Sequence, residues 1–217
     1  RELTISFMKK FTILFTIFCL LFSSFSQVMA AEESDFNPNF LITDEEIQNW
    51  QSMTREDIQA FLNHYKSFLS QYNAPDVNGV NRTASDIIYR ASLEHEINPK
   101  YLLVKLQKEQ SLITDNNPAQ KQLDWATGYG ICDDCSMSDP ALQKYKGLGT
   151  QIDSAAGIIR WYYDNLNNEN WIKRKNNTYN IDGVNVRPMN LATAFLYTYT
   201  PHINGNKNFW VLWQKWF

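Results

Sequence analysis

Glu109 stands where a helix should carry an apolar side chain. It lies in INPKYLLVKLQKEQSLITD, residues 97–115. Asn98 and Pro99 form a helix start, because Asn accepts from free N–H groups and proline is pre-set for the first helical position. At 100° per residue, Leu102, Leu106 and Ile113 fall on one stripe with Leu103 at its shoulder. Glu109, seven residues after Leu102, sits about 20° from it. Burying an ionised carboxylate is costly unless it is paired or protonated. Two chemistries follow: an ordinary helix glutamate paired with Lys105 four residues earlier, or a general acid whose pKa is raised by an apolar wall in a cleft.

Two further groups of residues could do chemistry. Trp125-Ala126-Thr127-Gly128-Tyr129-Gly130 places glycines on both sides of a tyrosine, which suits either close backbone approach by a ligand or a plain tight turn. Cys132 and Cys135, in GICDDCS, form a single C-x-x-C. Without a second pair or a spaced histidine pair this is weak evidence for zinc, and no βαβ pattern supports a redox motif. In an exported protein the spacing reads as a local disulfide. His64, His95 and His202 are too scattered to complete a metal site. The chemistry expected needs no metal and no cofactor.

The elements that must position these residues read as mostly helical. Thr43-Asp44-Glu45-Glu46 has the spacing of a capping box, and Thr54-Arg55-Glu56-Asp57 opens a clearer helix. In the latter, Ile58, Phe61, Leu62, Tyr65, Phe68 and Leu69 recur at helical intervals. The polar stretch Asn73 to Asn81, with Pro75 and Gly79, breaks it. A helix over Ala84 to His95 leads into the glutamate helix. After Asp115 the pattern dissolves until Thr150, a long irregular passage of the kind that is usually functional or disordered. Thr150 to Leu166 is helical. Asp182-Gly183 between β-prone arms signals a hairpin over Thr178 to Arg187. Asn190 caps LATAFLYTY, which Pro201 stops, and an aromatic helix through Phe209, Trp210, Leu212, Trp213 and Trp216 closes the chain.

Met8-Lys9-Lys10, the apolar run Phe11 to Phe22 and Val28-Met29-Ala30 have the layout of a secretory signal cleaved after Ala30. The run is short for a membrane span. The expected organisation is residues 1–30 as upstream residues and leader, 31–42 as an irregular lead-in, and 43–217 as a single domain. A formal net charge of −3 lacks the basic footprint of a nucleic-acid or anionic-membrane binder. All seven tryptophans follow the leader. In a cleft they could stack on sugar rings, although most should be core.

INPKYLLVKLQKEQSLITD, then ATGYG, then ATAFLYTYTPHI resembles the soluble lytic transglycosylases, and in particular a secreted bacterial branch with K-E-Q and L-Y-x-Y-T-P motifs. SMTREDIQAFLN is similar to that branch's N-terminal segment, so the resemblance spans nearly all of 43–217. It implies a mainly α (α+β), lysozyme-like fold with one β-hairpin and a long active-site loop. It also implies a secreted or cell-wall-associated monomer acting on peptidoglycan, with no nucleic acid and no stable membrane insertion. Carried over, Glu109 is the catalytic acid, Gly128, Tyr129 and Gly130 line the cleft, and Tyr197 stands near the carboxylate with Tyr199 as its neighbour. Ser111 and Trp125 complete the expected substrate-binding set. Two departures stand out: Gln110 separates Glu109 from Ser111, and Y-N-A-G appears as Tyr197-Thr198-Tyr199-Thr200. The resemblance implies cleavage between N-acetylmuramic acid and N-acetylglucosamine, with a 1,6-anhydro product if the sugar's own hydroxyl attacks. The alternatives are an N-acetylglucosaminidase or muramidase-type hydrolase, or a glycan-binding module in which Glu109 is idle.

Overall fold

The structure, a computed structural model, describes residues 35–131 and 139–217; the leader expected at the N-terminus and the Cys132–Cys135 pair lie outside them. The chain divides into two units, Arg1–Asn37 and Pro38–Phe217. The second contains every element below.

Helices α1 (Asp44–Gln48) and α2 (Arg55–His64) begin where the capping pattern places them. Thr43 Oγ1 accepts from the Glu46 N–H at 2.9 Å, and the Glu46 carboxylate accepts in return from the Thr43 N–H at 2.7 Å. Thr54 and Asp57 repeat the arrangement. Each box satisfies donors that a helix start leaves without partners.

The polar stretch that follows is a hairpin, not merely a breaker. Strands β1 (Asn73–Pro75) and β2 (Asn81–Thr83) pair antiparallel with Asn73 opposite Thr83. Asp76 builds the connection: its carboxylate accepts from the Asn78 and Val80 N–H groups at 2.9 Å and from Arg82 Nε at 2.6 Å. The fold therefore has two hairpins among the described residues where one was expected. The second, β3 (Tyr179–Ile181) and β4 (Val184–Val186), is the one signalled by Asp182-Gly183. Both turn residues take positive φ, +50° and +83°, as a two-residue turn matched to strand twist requires.

Helices α3 (Ala84–His95) and α4 (Pro99–Gln110) follow. Asn98 caps α4 by accepting from the Lys100 N–H at 2.9 Å, with Pro99 in the first turn. Ser111 then turns into the left-handed region at φ +58° and ends the helix. Ile113, expected on the helical stripe, is instead buried from the turn beyond it. Tyr101, Leu102, Leu103, Val104 and Leu106 are all fully buried, so α4 is enclosed on most sides. That breadth explains why its periodicity is weaker than that of a surface helix.

The passage after Asp115 carries two short helices, α5 (Gln120–Asp124) and α6 (Pro140–Gln143), before α7 (Leu148–Asn165), α8 (Leu191–Tyr199) and α9 (Ile203–Trp216). Helix α7 packs along α3, and α9 along α4. Mainly helical architecture is the outcome, with nine α-helices among the described residues. No helix there is long and apolar enough to cross a membrane.

The segment before α1 is sewn to the start of α8. The Asp44 carboxylate accepts from the Ala192 N–H at 2.6 Å and from the Tyr163 hydroxyl at 3.2 Å. Leu41 N–H donates to Thr193 Oγ1 at 3.0 Å, and Asn190 Nδ2 to the Ile42 carbonyl at 2.7 Å. The expected irregular lead-in thus includes ordered residues, with Leu41 and Ile42 buried.

Candidate functional site

Glu109 lies on the last turn of α4, its side chain a quarter exposed. Lys105 Nζ donates to its Oε1 at 2.8 Å and Lys108 Nζ to the same oxygen at 2.7 Å. The second oxygen, Oε2, faces the loop after α5: a Cβ added to Gly128 would stand 3.8 Å from it. One carboxylate oxygen is thus tied to two cations while the other is turned to a residue without a side chain.

Lys105 is enclosed. Its side chain is 3% exposed, and its ammonium sits 4.0 Å from the centroid of the Tyr199 ring, at the C-terminus of α8. A ring face attracts a desolvated cation. Burial dominates and lowers the Lys105 pKa to about 8, although the Glu109 charge pulls the other way. For Glu109 itself burial is the largest single influence and favours the neutral acid. The charges and hydrogen bonds of Lys105 and Lys108 together outweigh it and bring the pKa below the ordinary glutamate value. The expected protonated acid is therefore corrected: in the resting protein Glu109 is an ionised carboxylate, as in the simple ion-pair reading of its helix position.

The facing loop is held by a residue on α7. Gln151, fully buried, accepts through Oε1 from the Thr127 and Tyr129 N–H groups at 3.2 and 3.1 Å. Its Nε2 donates to the carbonyls of Tyr129 and Tyr145 at 3.0 and 2.7 Å. One amide thus satisfies four backbone groups of a segment with no regular partner. Gly128 and Gly130 take φ of +69° and +79°. A Cβ on Gly130 would stand 2.5 Å from the Tyr145 ring, so that position admits only glycine.

The other expected site residues are placed unevenly. Tyr129 is half-buried, edge-on to Tyr145 with ring centroids 5.2 Å apart. Tyr199, not Tyr197, is the tyrosine beside the carboxylate. Its hydroxyl pKa is driven up by burial first and by the Glu109 charge second, and its oxygen stands 3.5 Å from the Thr127 carbonyl. Tyr197 is fully buried with its hydroxyl unpartnered among the described residues. Burial raises its pKa first, and the charge of Asp182 in the β3–β4 turn adds to this. Trp125 is 4% exposed and is core, out of reach of a ligand. Ser111 is exposed and acts as the C-cap of α4. The cysteine pair lies outside the described residues; among the described residues no group of three His, Cys, Asp or Glu could hold a metal ion.

Sequence reasoning missed Lys108 as a second cation on Glu109, Gln151 as the loop anchor, and the stacked pair of half-buried Trp161 and exposed Trp171. Gln151 could have been found by the signal that exposed Glu109, because it lies four residues before Ala155 on the inward face of α7.

Residues 40–217 match the family model of the LasA N-terminal domain. No curated protein and no solved structure matches the chain. The match covers most of the chain, and the protein belongs to the LasA N-terminal-domain family. That overturns the resemblance to soluble lytic transglycosylases. The K-E-Q, GYG and L-Y-x-Y-T-P segments all fall inside the matched span.

Proposed function

Starting from membership of the LasA N-terminal-domain family, we propose that the chain acts outside the cytoplasm on the glycan strands of the bacterial cell wall. It cleaves the bond between N-acetylmuramic acid and N-acetylglucosamine, with Glu109 handling the proton. The observation that carries this reading is the asymmetry of the carboxylate. Oε1 is held by Lys105 and Lys108, while Oε2 is directed at Gly128, where a bound sugar oxygen could reach it. The leader-like stretch Met8 to Ala30 supports export.

The resting carboxylate must take up a proton before it can donate one. Burial is already the largest influence on Glu109 and favours the neutral acid. A sugar laid over the site removes more water and acts in the same direction. Glu109 then passes its proton from Oε2 to the glycosidic oxygen as the bond from that oxygen to the anomeric carbon breaks. The substrate's N-acetyl oxygen meets the positive charge that develops. The incoming hydroxyl adds to the anomeric carbon and returns its proton to Glu109, which restores the starting state.

The second reading is a glycan-binding module, favoured by the same two lysines, because they hold Glu109 ionised at neutral pH. Mass analysis of peptidoglycan treated with the protein and with Glu109→Gln separates the two. Fragments that the variant fails to make support cleavage at Glu109, and their ends identify the incoming hydroxyl. No fragments from either protein, with binding to the insoluble wall intact, overturns cleavage in favour of the module.

A further inference from the structure

A groove separate from the Glu109 carboxylate runs along the outer side of α7. Tyr129, Asp153, Ser154, Gly157, Ile158, Trp161 and Trp171 line it, around a cavity of about 360 Å³. Trp161 and Trp171 stack with ring centroids 5.7 Å apart and planes inclined by 21°. The Tyr162 ring meets Trp171 edge-on at 5.8 Å. Trp171 is nonetheless 55% exposed, and its indole N–H donates to Glu169 at 2.9 Å. Its neighbours thus fix the ring while leaving a large aromatic surface in water, an arrangement that folding alone does not favour.

The chemistry of the lining selects the occupant. At one end Asp153 is engaged by His95 at 2.9 Å through Oδ1, and the Ser154 hydroxyl is beside it. The rest is aromatic or apolar, and at Gly157 the His95 ring packs against the helix backbone, where an added Cβ would stand 3.2 Å from it. Among the described residues no lysine or arginine lines the groove, so they offer little to a phosphate or another anion. Flat apolar faces with a few polar groups at the edge suit a sugar ring, whose C–H face packs on indole while its hydroxyls reach acceptors. Tyr129 belongs to this groove and also directly follows Gly128, the residue that faces Glu109 Oε2. Tyr129 is therefore shared between the groove and the loop that faces the carboxylate.

We propose that this groove is a sugar-binding subsite, with Trp171 as its platform, that seats a neutral stretch of β-linked N-acetylamino-sugar strand leading to Glu109. The inference rests on the glycan reading above and names where the strand lies beyond the reacting bond.

The test is binding of a chitin-derived tetrasaccharide to the full chain carrying Glu109→Gln, with and without Trp171→Ala. Calorimetry gives the affinity, and the indole N–H resonances report the site. The proposal expects the Trp161 and Trp171 resonances to shift on titration, and Trp171→Ala to weaken binding at least tenfold with an unchanged circular-dichroism spectrum. Equal affinity in both proteins, or no binding up to millimolar sugar, overturns it. Peptidoglycan digestion by the Trp171→Ala single variant keeps the two readings apart. Fragments that depend on Glu109 together with undiminished tetrasaccharide binding sink the groove but not the cleavage. Tetrasaccharide binding that depends on Trp171, with no fragments from the wild type, sinks the cleavage but not the groove.

Discussion

Two buried polar side chains, Gln151 and Lys105, solve the problem of burial differently. Gln151 is neutral and spends its amide on four backbone groups of the loop and its surroundings. Lys105 is charged, has one carboxylate and one ring face as partners, and makes no bond to the loop among the described residues. A neutral group with every bond made fixes a backbone and is indifferent to pH. A buried ion pair leaves its protonation open to its surroundings, as a site for proton transfer requires. The comparison separates scaffold from chemistry in a region where the sequence interleaves them.

The largest effect should come from Gln151→Leu. It leaves backbone donors and acceptors of Thr127, Tyr129 and Tyr145 inside the protein without partners, at roughly 1–3 kcal/mol each before relaxation. Urea unfolding should show a loss of about 4 kcal/mol, the same at pH 6 and pH 9. A pH-dependent loss would break the contrast.

Next comes Glu109→Leu, which strands Lys105 and should lower stability by about 3 kcal/mol at pH 6. Here pH matters, and the sign can be worked out. With Glu109 present, the Lys105 pKa is already down at about 8; without the carboxylate it falls further. Between that folded value and the unfolded lysine value the unfolded chain binds more protons, so stability rises with pH. The gap between variant and wild type should therefore be clearly narrower at pH 9 than at pH 6.

Lys105→Met asks the complementary question of the carboxylate. Removing the enclosed cation should move the Glu109 carboxyl titration, followed by carbon NMR, upward. Lys108→Met should move it the same way by less, because that side chain keeps more contact with water (11% exposed against 3%). If the two shifts are equal, burial is not what gives Lys105 its hold. Cleavage that needs protonated Glu109 should follow the titration, its useful range extending to higher pH in Lys105→Met.

The legible parts of the fold were those where one short-range rule acts alone. Capping boxes at Thr43 and Thr54, the Asn98–Pro99 start and the Asp182-Gly183 turn each placed an element correctly. The β1–β2 hairpin was missed because its arms are three residues long and its turn is built by the Asp76 side chain; composition there reads only as a break. In the site, the helix wheel found Glu109 but not its charge state. Lys108 is a neighbour in sequence whose side chain swings onto the same oxygen, which no periodicity reveals. The tyrosine pair shows the limit of motif transfer. Tyr197 and Tyr199 stand two apart on α8 and so face about 200° apart, which sends one into the core and the other to Lys105. Choosing between them requires knowing which side of α8 meets α4.

The stitching of residues 41–44 to residues 190–193 has a consequence for synthesis. A chain made from its N-terminus cannot form the Asp44–Ala192 or Leu41–Thr193 bonds until residues 192 and 193 have been made. Contacts this distant in sequence come late and close a long loop. The opening segment must therefore wait, unpaired, while the helices between assemble. This polar seam joins residues that lie 148 and 152 positions apart, so the domain cannot be complete before both sides have been made.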